Sequence, residues 1–258
     1  MTRWKITIEY NGTPYAGSQK QPDIATVQGE IEKALYKFCQ QKIDIIMAGR
    51  TDAGVHARAQ IAHFDLDYRT QKGDPRPLSA FELIKAINAH LTPQPIAIID
   101  AVEVSNDFHA RFGAKQKHYI YRIVNRPHNL AIDQGYAWWA KHPLDIDAMN
   151  HAAQFLIGEH DFSSFRDSEC QAKSPIRSID ELYVEATPII NGQEVFIHAK
   201  GMAFLHHMVR NIAGSLVYVG TGKWQAEDMQ AVLNAKDRTK AGPTAPAGGL
   251  YLQSIDYV

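Results

Sequence analysis

The sequence predicts an α+β fold, and three observations predict it. Strands with two-residue apolar alternation recur along the chain, helices with one apolar face fall between them, and the first half orders these as β-α-β-β-α-β. At 258 residues, the chain has length for one large domain or two moderate ones. With 45% apolar and 21% charged residues it has the composition of a soluble globular protein.

The elements follow in order. Trp4-Lys5-Ile6-Thr7-Ile8-Glu9-Tyr10 alternates and predicts a strand with Trp4, Ile6, Ile8 and Tyr10 on its buried face. Asn11-Gly12 ends it. Thr26 caps a helix whose apolar face is Val27, Ile31, Leu35 and Phe38. Strands at 43–47 and 59–66 flank a polar loop. Ser79-Ala80-Phe81-Glu82 has the spacing of a capping box and opens a helix to about His90, which Pro93 and Pro95 stop. A strand returns at 96–104.

Past Ser105-Asn106-Asp107 the theme repeats loosely. The pattern predicts a strand at 117–124 with Tyr119, Tyr121 and Ile123 on one face, a helix at 145–156, and strands at 176–186 and 194–200. A helix at 203–219 carries Leu205, Met208, Val209, Ile212, Leu216 and Val219 as its stripe. A short helix at 225–235 and a closing strand at 249–257 complete the series. The pattern break places the domain boundary between 106 and 107. Residues 1–106 form an N-terminal α+β domain and 107–258 a C-terminal one.

No apolar run is long enough to span a bilayer, and the N-terminus enters a strand pattern without the features of a signal peptide. The expectation is a cytoplasmic protein with no membrane partner. The two cysteines, Cys39 and Cys170, lie far apart and outside any C-x-x-C pattern, which disfavours a disulfide framework or a thiolate zinc site. Formal net charge is −1, which by itself argues mildly against nucleic acid as a partner, because phosphate binding wants positive charge. Distribution says otherwise. No acid occurs between Asp107 and Asp133, where Arg111, Lys115, Lys117, Arg122 and Arg126 lie; none occurs between Glu194 and Glu227, where Lys200, Arg210 and Lys223 lie. Acid-free basic windows in a neutral protein predict a local positive groove.

The loop after the second strand carries the densest chemical signal: Ala48-Gly49-Arg50-Thr51-Asp52-Ala53-Gly54-Val55-His56-Ala57. Asp52 is the only acid between Asp44 and Asp65, and it sits among Arg50, His56, Arg58 and His63. A carboxylate beside a fixed guanidinium keeps its charge and acts as nucleophile or base. An arbitrary Arg-x-Asp is more often a surface ion pair of little energetic weight. The ten residues as they stand, however, resemble the active-site motif of the tRNA pseudouridine synthase A family.

The resemblance extends to Phe108-His109-Ala110-Arg111-Phe112 with Lys117-His118-Tyr119-Ile120-Tyr121, to Phe204-Leu205-His206-His207-Met208-Val209-Arg210-Asn211, and to Ala245-Pro246-Ala247-Gly248-Gly249-Leu250. Shorter matches are Thr26-Val27-Gln28, His160 to Arg166, and Ser174-Pro175-Ile176-Arg177. The sequence departs from the family pattern at Asn11, Ser18 (where tryptophan is usual), Gly113 and Gly201-Met202. None of these is a residue to which the resemblance assigns chemistry.

The resemblance implies two ferredoxin-like (RRM-like) halves with adjoining antiparallel sheets and a central cleft. It implies isomerisation of uridine to pseudouridine at positions 38, 39 and 40 of the tRNA anticodon stem-loop, by a homodimer, with no cofactor and no required metal. The implied catalytic residues are Asp52 as the essential carboxylate, Tyr119 against the target uracil and Arg210 as partner of Asp52. Tyr119, Arg50, Arg58, His56 and Leu250 are the implied substrate-binding residues. Arg50 would fill the gap left by an extruded nucleotide, and Leu250 would form an apolar wall. On helical spacing, His206 and Arg210 share one side of their helix, whereas adjacent His206 and His207 diverge by about 100° and do not suggest a metal pair.

Overall fold

The structure, a computed structural model, describes residues 1–68 and 76–257. Its elements, in chain order, are β1 (Thr2–Tyr10), α1 (Val27–Cys39), β2 (Ile46–Met47), β3 (His56–Leu66), α2 (Ala80–Leu91), β4 (Ile96–Val104), β5 (Gln116–Asn125), β6 (Trp138–Ala140), α3 (Ile146–Gln154), β7 (Gly158–Asp161), β8 (Ile176–Ile179), β9 (Glu181–Ile189), β10 (Gly192–Gly201), α4 (Met208–Gly220), α5 (Asp228–Ala235) and β11 (Leu250–Asp256). The architecture is thus mixed, helices with mostly antiparallel strands, in keeping with the α+β expectation. The chain divides into two compact units, Met1–Lys115 with Leu252–Val258, and Gln116–Tyr251. Among the described residues no helix is long and apolar enough to cross a membrane.

In the first unit β1 is central and runs antiparallel to both neighbours, with Trp4 opposite Phe64 and Glu103, and Ile6 opposite Ala62 and Ala101. The strands lie in the order β4, β1, β3, β11, and β2 pairs with β3. The alternation of β1 drives Trp4, Ile6, Ile8 and Tyr10 inward. Both helices start where local chemistry starts them. The Thr26 hydroxyl accepts the Gly29 N–H, and Ser79 and Glu82 form the reciprocal capping box. Ile31, Leu35, Leu83 and Ile87 are fully buried. Each contributes roughly 1.5–3 kcal/mol by leaving water.

The strand expected at 43–47 shrinks to Ile46–Met47 for a specific reason. The backbone of Ile45 is bound by side chains of α1 instead of a strand: its N–H donates to Glu32 Oε1 at 3.2 Å and its carbonyl accepts from Gln28 Nε2 at 3.1 Å. Glu32, buried among them, also takes Lys20 Nζ at 2.7 Å.

In the second unit β5 pairs antiparallel with β10 and β10 with β9; Tyr119 stands opposite Ala199 and Tyr121 opposite Ile197. The short β6 runs parallel to β5, and β7 pairs with β8. Helix α3 packs against β9 and α4. Two expectations are corrected here. The strand expected at 176–186 is two strands, β8 and β9, parted at Asp180, whose N–H turns to the Lys200 carbonyl at 2.8 Å. The helix expected from Ala203 begins only at Met208, because His207 takes a left-handed conformation (φ 59°) in front of it.

Candidate active site

Asp52 is half-buried and sits on a loop whose backbone is bound along its length. Ala48 N–H donates to the Ile61 carbonyl at 2.8 Å, and Gln60 Nε2 donates to the Gly49 carbonyl at 3.0 Å. Thr51 N–H donates to Ser18 Oγ at 2.8 Å, and Val55 N–H closes a turn on the Asp52 carbonyl at 3.1 Å. Gly54 takes φ +77° in that turn, a conformation glycine adopts without a Cβ penalty. The loop is also pressed against the segment that follows β1. A Cβ on Gly12 would lie 1.9 Å from the Val55 carbonyl oxygen, so only glycine fits.

Under the loop lies a cluster of buried polar side chains: Tyr10, Ser18, Thr51 and Gln60. The Tyr10 hydroxyl is 2.8 Å from Thr51 Oγ1. Burial pushes this phenol up to about 12, against the hydrogen bonds from Thr51, Gln60 and Ser18; the charge of Asp52 also raises it. Tyr10 is therefore protonated at neutral pH and serves the cluster as a neutral hydroxyl.

The other residues expected around Asp52 divide by exposure. Arg50 and Arg58 are exposed, in reach of a polyanion. His56 is buried, and its Nδ1 accepts the Gly12 N–H at 3.1 Å. Its ring anchors the turn beside the loop.

The second unit places Tyr119, Arg210 and Leu250 as follows. Tyr119, on β5, is nearly buried, with its ring edge-on to Phe204 (centroids 5.2 Å apart, 81° between planes). Tyr121, two residues on, is wholly buried and donates to the Pro246 carbonyl at 2.7 Å. Burial raises its phenol far above the usual range, with the charge of Arg210 opposing. Arg210 lies in the first turn of α4, and its Nε donates to the Ala245 carbonyl at 2.7 Å. Gly249 packs against the Tyr121 ring, where a Cβ would meet Cζ at 2.6 Å. Tyr121, Arg210 and the strip 245–250 with buried Leu250 are thus one packed group.

His206 does not share a helix face with Arg210, because residue 206 precedes α4. Nor do His206 and His207 diverge: their rings lie 4.0 Å apart, and both face Asp167, at 3.5 and 2.7 Å. Burial would raise the Asp167 carboxyl. The Glu169 N–H, the His207 hydrogen bond and the two imidazoles outweigh it and hold the carboxyl below the usual carboxylate range. Sequence reasoning missed Asp167 and also the structural parts of Tyr10 and Ser18. No local signal marked the last two, since the residue both of them bind, Thr51, lies more than 30 positions away along the chain.

The family model for tRNA pseudouridine synthase matches residues 6–113 and 152–258, a span that includes Asp52 and Arg210. A tRNA pseudouridine synthase A from Xanthobacter autotrophicus is 48% identical over 257 residues, covering 100% of both chains. Those of Rhodopseudomonas palustris strain HaA2 and Paramagnetospirillum magneticum are each 49% identical, covering 100% of this chain and 100% and 96% of theirs. The chain belongs to the tRNA pseudouridine synthase family.

Proposed function

We propose that this protein isomerises uridine to pseudouridine in tRNA, at positions 38, 39 and 40 of the anticodon stem-loop. The observation that carries the reading is a half-buried aspartate, Asp52, on a loop whose backbone is immobilised from both sides, within a chain that matches tRNA pseudouridine synthases over its whole length. In the reaction the bond from ribose C1′ to N1 of uracil breaks, the base turns, and C1′ rejoins it through C5 while the C5 proton leaves and N1 gains one. The product is an isomer of the substrate, so the chemistry calls for no external group donor or redox partner.

Asp52 is the essential carboxylate of this scheme, and Arg210 its partner. Tyr119 stacks on the target uracil, a role that a ring already packed against Phe204 performs with little loss of conformational entropy. A base in a stem is reached by extrusion, and Arg50 fills the space the nucleotide leaves. Arg58 contacts the RNA backbone. His56 contributes by holding the Gly12 turn, and Leu250 supplies an apolar wall. Each half of the chain is read as a ferredoxin-like unit, with the β-α-β-β-α-β order of the first as the support. The working form is read as a cytoplasmic homodimer that grips one tRNA and needs no metal.

The test is incubation of unmodified tRNA with the pure protein in the presence of a chelator, followed by chemical detection of pseudouridine. Formation at the expected positions is the anticipated result. Binding of tRNA without product would replace the enzyme by an RNA-binding protein, and product lost only with chelator would restore a metal.

A further inference from the structure

We infer that Ser18 is a positioning residue for the Asp52 loop, acting through Thr51. The inference rests on the reading of Asp52 as the essential carboxylate. Ser18 is fully buried. Its Oγ accepts the Thr51 N–H at 2.8 Å, and its own N–H donates to the Thr51 carbonyl at 3.1 Å. Thr51 Oγ1 meets the Tyr10 hydroxyl at 2.8 Å. Every polar group of Thr51 is therefore held, two of them by the same serine.

The next residue is Asp52, and its carbonyl is tied by the turn to Val55. The carboxylate is carried on a backbone pinned immediately before and immediately after it. Ser18 is itself fixed to a helix: its carbonyl accepts the Gln28 N–H at 3.0 Å, and the Gly17 carbonyl accepts the Val27 N–H at 3.3 Å. The start of α1 is thereby coupled through one serine to the Asp52 loop. Gly17 makes the approach possible. It has φ +104°, and a Cβ there would lie 2.7 Å from the Thr51 carbonyl oxygen.

Removing the serine oxygen leaves the Thr51 N–H without that acceptor in a buried place. The loop relieves this by shifting, and Asp52 moves with it. A displacement near 1 Å at a reacting group is enough for a rate loss of about 10²-fold. Binding of tRNA, spread over many contacts elsewhere, is not expected to follow.

The experiment compares Ser18→Ala with the unaltered protein in single-turnover pseudouridine formation on unmodified tRNA, with tRNA affinity and binding stoichiometry measured on the same preparations. The expected result is a rate constant lowered about 10- to 100-fold with Kd within about threefold and full stoichiometry. A rate within about twofold of the unaltered protein overturns the assignment. So does a rate constant per tRNA-binding site that equals that of the unaltered protein, because the loss is then one of folded molecules and not of rate. If Ser18→Ala does not fold, Tyr10→Phe removes the hydroxyl under Thr51, keeps the ring, and is judged by the same criteria. Asp52→Asn runs in parallel. An inert Asp52→Asn beside a fully active Ser18→Ala overturns only the role of Ser18, whereas an active Asp52→Asn overturns the reading beneath it.

Discussion

Arg210 and Ala245 bind each other twice: the arginine Nε donates to the Ala245 carbonyl at 2.7 Å, and the Ala245 N–H donates back to the Arg210 carbonyl at 3.2 Å. The pair locks the first turn of α4 to the strip that ends in Leu250. It also sets the plane of the guanidinium, since Nε is the atom held. A lysine at 210 keeps the charge and loses that plane. Arg210→Lys is expected to lower single-turnover pseudouridine formation at least about tenfold, or 1.4 kcal/mol, with tRNA affinity little changed. An unaltered rate would show that charge alone suffices.

Asp52→Asn keeps the shape of the side chain and removes its charge. Product is expected to vanish while tRNA affinity stays within about tenfold, roughly 1.4 kcal/mol. Gel-shift titration and a pseudouridine assay on one preparation check both halves. Substantial turnover by this variant would remove Asp52 from the chemistry.

Tyr119 separates stacking from proton transfer. Stacking of a base on an aromatic ring is worth about 1–3 kcal/mol, so Tyr119→Ala is expected to weaken tRNA binding by up to about a hundredfold. Tyr119→Phe retains the ring and much of the binding. Slow turnover by Tyr119→Phe assigns the hydroxyl a proton-relay part, and full activity leaves the ring as a stacking surface alone. Equal affinity of the alanine and phenylalanine variants would contradict stacking.

The fold also carries a pH dependence with a definite sign. His63 is buried, and its Nδ1 accepts the Ala110 N–H at 3.1 Å, a bond only the neutral ring makes. Burial first, then the neighbouring His109 and Arg3, hold this imidazole below its ordinary value. His198 is lowered likewise by burial, with Glu185 opposing. The unfolded chain therefore takes up these protons first. The stability they contribute is fully present above the usual imidazole value of about 6.5 and is lost as pH falls through it toward the folded-state values. The midpoint of urea unfolding is expected to drop between about pH 7 and pH 5, and His63→Gln to shallow that slope. A flat midpoint across this window would contradict the argument.

Much of the fold was legible because its signals are local. The alternation of β1, the Thr26 cap and the Ser79–Glu82 box each lie within a few residues and appear where expected. The Asp52 motif was equally plain, as a run of ten residues. What escaped depends on distant partners. The apolar stripe through Leu205 continues a helical pattern, yet Asp167, 40 residues away, captures His207 and the helix starts late. A strand at 43–47 looked complete, but α1 had already claimed the backbone of Ile45. Ser18 gave no local sign of its part, since the N–H it accepts belongs to residue 51.

The strand β11 lies for the most part in the first unit although it is made after the whole of the second. Tyr257, just beyond it, packs its ring against Phe108 and donates its hydroxyl to the Ala110 carbonyl at 2.7 Å. On the ribosome, then, the stretch of the β3 edge that β2 does not cover stays open until translation has passed the second portion. A polypeptide cut short between β4 and residue 250 would inherit that open stretch permanently, and with it a template for self-association.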